Sequence, residues 1–135
     1  MTKKTVSILD FDAVKDSSTA INVDMKSTDG ESIGVTFKVI GKNADEVQAV
    51  QRKMMRKRQA EEFLAQRKGK PLEPTPIEEL EEQGLELAAV RVVGWEGVNE
   101  PFDKALLKQA LKRNPHWVEQ IIEESNADAN FTKSV

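Results

Sequence analysis

Residues 21–39 read INVDMKSTDGESIGVTFKV. Ile21, Val23 and Met25 alternate with polar neighbours, and Ile33, Val35, Phe37 and Val39 alternate again after Ser27-Thr28-Asp29-Gly30-Glu31. Period-2 patterning on both sides of an Asp-Gly turn specifies a β-hairpin with one apolar face. Two strands alone are marginal in water, so that face must cover a helix or join another sheet. Gly41 ends the pattern.

The rest of the chain supplies helices. Asn43 reads as an N-cap, with Glu46 three residues on, and the helix it opens is expected to run to about Lys68 with Gly69 at C′. Val47, Val50, Met54 and Leu64 give this helix an apolar stripe, with Met55 and Phe63 beside it. Arg52, Lys53, Arg56, Lys57 and Arg58 fill most of the rest of its middle, so it is expected to pack along one side only. Residues 69–75 form a stiff Pro-containing linker. Thr75-Pro76-Ile77-Glu78 then combines an N-cap, Pro at N1 and Glu at N3. The acidic helix that follows points Ile77, Leu80, Leu85 and Ala88 inward. The run Leu87–Val93 is apolar enough for helix or strand, and helix through about Val92 is preferred. Gly94-Trp95-Glu96-Gly97 reads as a turn, Pro101 as N1 of a helix buried through Leu106, Leu107, Ala110 and Leu111, and Asn114-Pro115 as the start of a last helix. There Trp117 or Val118, Ile121 and Ile122 face inward.

The expected fold class is α+β, mainly α: an N-terminal β-hairpin followed by about four helices in a small bundle. Residues 1–18 form an arm, whose Ile8, Leu9, Phe11 and Val14 suit a short docked helical turn. Residues 19–126 form the single domain, and residues 127–135 a polar tail expected to fray.

Composition narrows the chemistry. Among 135 residues there is no Cys and one His, which excludes disulfides, thiolate nucleophiles and two-His metal motifs within one subunit. No Gly-rich phosphate loop is present, and His116 directly follows a helix-opening Pro with no HExxH context. The carboxylate pairs Glu78/Glu79, Glu81/Glu82 and Glu123/Glu124 are adjacent in sequence and so point apart on a helix. No enzyme, cofactor or metal is expected. No apolar run is long enough to span a membrane, and no signal peptide is visible.

The net charge of −3 conceals an uneven distribution. Residues 42–70 carry 9 basic and 4 acidic groups, whereas residues 71–100 carry 1 and 8. A basic helix, a short linker and an acidic helix suit an antiparallel hairpin that partly neutralises itself; alternatively each face awaits a partner of opposite sign. Five basic residues between Arg52 and Arg58 suffice to contact phosphates, but the chain is acidic overall and no aromatic interleaves with them. Neither nucleic acid nor a membrane is the expected partner. Trp117 reads as core, and Trp95, in a Gly-flanked turn, as either core or a partner anchor.

The order of parts carries a resemblance. Hairpin, basic helix, Pro-rich break and acidic helix lead into Val92-Val93-Gly94-Trp95-Glu96-Gly97, then Asn99 and Pro101-Phe102, a leucine-rich helix, Asn114-Pro115, a final helix and Asn130-Phe131. This layout, over roughly residues 19–131, resembles the tail assembly chaperones of long-tailed bacteriophages, in which a GW-x-G turn, a Pro-aromatic pair, a short helix and a terminal Asn-Phe recur. The resemblance implies a non-catalytic protein of the host cytoplasm, absent from the mature virion. Such a protein binds and solubilises the tape measure protein and promotes tail tube assembly around it. The tail tube protein would be engaged through a longer form made by ribosomal frameshifting. The competing classes are a structural head–tail or tail-completion protein retained in the virion, and a small DNA-binding regulator.

The residues agree in kind, because thin apolar stripes leave edges for a helical partner. Val47, Val50, Met54, Met55 and Phe63 are the candidate contacts, with Arg52 and Arg56 steering an acidic stretch of the client and Trp95 as a further anchor. Self-association into a homo-oligomer is another way to cover the same edges.

Overall fold

The computed structural model describes residues 5–131. Strands β1 (Ile21–Lys26) and β2 (Ser32–Val39) pair antiparallel, with Ile21 opposite Val39 and Val23 opposite Phe37. The loop between them closes as Gly30 N–H donates to the Ser27 carbonyl at 3.0 Å and Ser27 N–H to the Glu31 carbonyl at 2.9 Å. This is the three-residue loop that right-twisted strands favour. The pairing register shifts between Asp24 and Lys26. Opposite that shift, β2 carries Gly34 at φ +79°, and Ile33 is exposed rather than part of the apolar face.

A third strand, β3 (Val92–Glu96), joins the other side of β2, with Phe37 opposite Trp95. The helix expected to reach Val92 therefore stops at Arg91, and Gly94, Trp95 and Glu96 are strand rather than turn. Two physical reasons favour this outcome. The open edge of β2 offers pairing to β-branched Val92 and to Gly94, Trp95 and Glu96 beyond it, with Val93 skipped at a register shift. The helix end is also satisfied without a glycine cap, because Lys104 Nζ donates to the carbonyls of Ala89 at 2.6 Å and Val92 at 2.8 Å. Burial, and then the neighbouring Lys108, lower the pKa of that ammonium. Gly97 ends the strand at φ +80°, where a Cβ would collide with the Gly34 carbonyl oxygen. The motif's second glycine is thus a close-approach residue facing the β2 irregularity.

The described residues comprise five α-helices and this three-stranded antiparallel sheet, with two short 3-10 turns at Ile8–Asp10 and Asp128–Asn130. The helices are α1 (Ala13–Ser17), α2 (Asp45–Arg67), α3 (Ile77–Arg91), α4 (Lys104–Arg113) and α5 (Pro115–Asn126). The core forms where Val23, Met25, Phe37 and Val39 of the sheet meet Ala88, Ala89, Leu107, Leu111 and Ile121 of α3, α4 and α5. Phe37 packs between two tryptophans, with its ring centroid 6.1 Å from Trp95 and 5.7 Å from Trp117. Both indoles are half-buried and hydrogen-bonded, Trp95 Nε1 to the Glu100 carbonyl at 2.9 Å and Trp117 Nε1 to the Lys26 carbonyl at 2.8 Å.

Several helix starts differ from the expected ones. The residue at the α2 N-cap is Ala44, not Asn43, and the residue at the α3 N-cap is Pro76, not Thr75; neither makes a side-chain cap. Helix α4 begins at Lys104, three residues beyond Pro101, because Asp103 accepts from the N–H groups of Ala105 and Leu106. Asn114 does precede α5, but its side-chain amide donates back to the Ala110 carbonyl instead of capping forward. The end of α2 follows expectation: Gly69 at φ +64° donates to the Gln66 carbonyl and Lys70 to that of Ala65, a Schellman closure.

Both ends of the described chain converge on Gly41. Its N–H donates to the Ser17 carbonyl at 2.8 Å, and a Cβ there would lie 2.8 Å from Ser17 Oγ and 3.0 Å from Phe131 Cδ2. Ser17 and Phe131 are both buried. The arm before Ser17 behaves differently: Val6, Ile8, Leu9, Phe11 and Val14 are all exposed, so its helical turns do not dock. Past residue 127 the chain turns through Asn130 and packs Phe131, and residues 132–135 of the expected frayed tail lie outside the described residues.

One polar network ties these elements together. Arg91, 4% exposed, donates through Nε to Ser125 Oγ at 3.0 Å and through a terminal nitrogen to the Leu87 carbonyl at 2.5 Å. Ser125 Oγ in turn donates to the Ile40 carbonyl at 2.7 Å. Ser125→Ala is expected to orphan a buried cationic donor and a buried carbonyl together, costing about 2–3 kcal/mol in denaturant unfolding. Gly97→Ala is expected to cost about 1–3 kcal/mol, because the new methyl group needs both a disfavoured φ and a shift of Gly34. Denaturant unfolding of the two single variants and the wild-type protein checks both values.

Candidate functional site

The longest element contributes little to the core. Helix α2 has 23 residues, which makes it about 34 Å long, yet only its first turns are held. Val47 is fully buried with Ala44 and Ile40, against half-buried Val90 of α3. Farther along, Met54 lies beside Glu82, Gln83 and Glu86, and Lys57 and Arg58 reach Glu79 and Thr75. That descending order of partners makes α2 and α3 an antiparallel hairpin, rooted near Val47 and projecting to the Pro-containing linker.

The two oppositely charged helices neutralise each other only in part. Among the described residues one ion pair crosses between them, Lys57 Nζ to Glu79 Oε1 at 2.6 Å. That carboxylate, by hydrogen bond and charge, raises the Lys57 pKa above its ordinary value. The pair's contribution is therefore complete below the unfolded lysine pKa and is lost only as pH rises through the raised one. Arg58 pairs weakly within its own helix, with Glu61 at 3.9 Å and Glu62 at 3.7 Å. Arg52, Lys53 and Arg56 are exposed and form no ion pair among the described residues.

The expected partner residues fall into three groups. Val47 belongs to the core, while Val50 and Met54, one and two turns on along the same face, are half-buried. Arg52, Met55, Arg56 and Phe63 follow the spacing i, i+3, i+4, i+11 and so share an outer stripe, on which Met55 is 62% and Phe63 59% exposed. The guanidinium of Arg67 lies 5.9 Å from the centroid of the Phe63 ring. Trp95 is separate: it belongs to the aromatic cluster on the sheet, its ring 5.0 Å from Phe102 and nearly perpendicular to it.

Two exposed apolar residues of the hairpin were expected inside. Ile77 is 70% exposed and Leu80 also stands in solvent, because the first turn of α3 extends past the core. The hairpin therefore presents Met55, Phe63, Leu64, Ile77 and Leu80 outward among charged side chains. Such a surface suits the docking of an amphipathic segment, with apolar contact for affinity and charge for register. Among the described residues no three His, Cys, Asp or Glu side chains are placed to hold a metal ion, and no helix is long and apolar enough to cross a membrane.

Comparison with protein-family models, with curated proteins and with solved structures finds no match to this chain.

If the outer stripe is surface rather than core, Phe63→Ser should change folding stability by no more than about 0.5 kcal/mol. Val47→Ala, at the root of the same helix, should cost about 2 kcal/mol. Urea unfolding of the two variants provides the contrast.

Proposed function

We propose that this protein is a non-catalytic tail assembly chaperone of a long-tailed bacteriophage, which holds the tape measure protein as a helical client on the outer face of α2. The observation that carries the reading is the exposure of Met55 and Phe63 on a projecting helix whose basic residues are largely unpaired. A client helix laid along that stripe buries its apolar residues against an adaptable Met and an aromatic ring. Arg52 and Arg56 favour an acidic stretch of the client and set its register. The class of client comes from the layout and from the Val92–Phe102 segment that resembles such chaperones. On this reading the protein works in the host cytoplasm without a cofactor, is absent from the finished particle, and engages the tail tube protein through a frameshifted longer form.

The test is co-expression with a tape measure protein from the same genome. Wild-type protein should keep the client in the soluble fraction, and Met55→Asp combined with Phe63→Asp should reduce the soluble client at least tenfold while leaving the circular dichroism spectrum unchanged. Undiminished co-purification of the double variant would overturn the assignment of the face. Recovery of the protein from purified virions in stoichiometric amounts would instead make it a structural ring component.

A further inference from the structure

We propose that the groove between α3 and the α4–α5 pair is a second helix-docking site, and that it takes a cationic amphipathic helix of a partner protein. The groove has a volume of about 640 Å³, and half-buried Leu85 of α3 and Val118 of α5, with Pro115 at the start of α5, contribute its apolar surface over the buried Leu111 of α4. Apart from Glu82, which also lies beside Met54, its α3 residues are on a different side of that helix from α2, and the exposed α2 residues of the proposed function take no part in it.

Three observations define the occupant. The first is charge. Glu78, Glu81 and Glu82 line the groove from α3 and Glu119 from α5, against Lys112 as the one basic lining residue. None of these four carboxylates forms an ion pair among the described residues, so their field is not spent inside the chain. A segment bearing Lys or Arg is attracted, and an acidic one is repelled.

The second is Gly84. A glycine in a helix interior costs about 1 kcal/mol relative to alanine. A Cβ at Gly84 would meet nothing within 4 Å, so no neighbour within the chain demands the missing side chain. The open space lies on the groove itself, where a glycine lets another helix approach the α3 backbone closely. The third is the continuation of the apolar surface. Ile77, Glu81, Gly84 and Ala88 follow the spacing i, i+4, i+7, i+11, so exposed Ile77 lies on the same stripe as Gly84, two turns toward the linker. A partner helix running along α3 meets exposed Ile77 toward the linker, the open backbone at Gly84, and half-buried Leu85 and Val118 in the groove, with carboxylates around them. An extended strand lacks a matching edge here, because the groove is walled by helices.

The test uses the full-length protein and two synthetic 18-residue peptides labelled with fluorescein. Each carries one Leu stripe at helical spacing; one is flanked by Lys and the other by Glu. Fluorescence anisotropy at physiological salt should show the Lys peptide binding at least tenfold more tightly. Gly84→Leu fills the groove without changing charge and should weaken that binding at least tenfold. Met55→Ser with Phe63→Ser, on α2, should leave it within twofold. Glu81→Lys with Glu82→Lys should also weaken it at least tenfold, and substantially more than Glu61→Lys with Glu62→Lys, which alters net charge equally but lies on α2. The last comparison decides the matter if Gly84→Leu disturbs folding. Absence of binding, equal binding of the two peptides, insensitivity to a folded Gly84→Leu, equal effects of the two charge reversals, or loss in the α2 variant would each overturn the proposal.

Discussion

The structure turns on a buried guanidinium that no carboxylate neutralises among the described residues. Arg91 closes α3, and burial lowers its pKa with no opposing charge to restore it. So basic a group stays protonated regardless, so the cation must be satisfied by dipoles. The Leu87 carbonyl supplies one, at the helix end where the macrodipole is negative, and Ser125 Oγ supplies another. The geometry this imposes reaches three elements. Ser125 in the last turn of α5 is drawn against α3, and its hydroxyl is committed to the Ile40 carbonyl just beyond β2. The Ile40 N–H returns to the Arg91 carbonyl at 2.7 Å, and the Lys42 N–H donates to the Ser125 carbonyl at 3.0 Å. The strand exit, the acidic helix exit and the final helix are therefore fixed at one point.

From that point the remaining packing follows. With α5 held along the sheet, its side chains reach the outer edge of β1. Gln120 donates to the Asp24 carbonyl at 2.8 Å and Trp117 to that of Lys26, where His116 Nε2 also lies at 3.0 Å. An edge strand whose carbonyls are already occupied is a poor template for pairing with another chain. The opposite side of the sheet is extended by β3, and Phe37 is enclosed by the indoles on either side of it. Every layer of the core is thus filled by residues outside the distal parts of α2 and α3, which leaves the charged hairpin as a projection rather than a wall.

The hairpin strands were legible because alternation is a local signal, and the signal failed at Ile33, where Gly34 changes the register. The end of α2 was legible for the same reason, since Gly69 carries its own conformational preference. The third strand was not, because Leu87–Val93 is a continuous apolar run that suits helix and strand alike, and the deciding groups are distant in sequence: the edge of β2 and the ammonium of Lys104. Helices α2 and α3 start one residue beyond the capping signals at Asn43 and Thr75, and Ala44 and Pro76 at the N-caps make no side-chain cap. In the candidate site, periodicity placed Met54 and Met55 beside each other but did not reveal which is covered. Burial depends on the neighbour, and α3 lies against the face bearing Val47 and Met54. Ile77 and Leu80 show the converse, apolar residues on a regular stripe that no other described residue covers.

Division of charge along the sequence acquires a spatial meaning from this arrangement. Had the two helices paired their charges fully, both would be spent at the seam, yet among the described residues Lys57 and Glu79 make the one ion pair that crosses it. A helix displays residues all around its axis, so an antiparallel pair covers only one side of each. The basic residues Arg52 and Arg56 therefore face outward from α2, while Glu78, Glu81 and Glu82 line the groove on another side of α3. The separation across the hairpin is about one helix diameter on each side, roughly 10–12 Å apiece, which exceeds the screening distance of about 8 Å at physiological salt. Each face then acts on approaching segments with its own sign, rather than as part of a net charge of −3. A partner helix with one kind of charged flank would complement one of these faces and not the other.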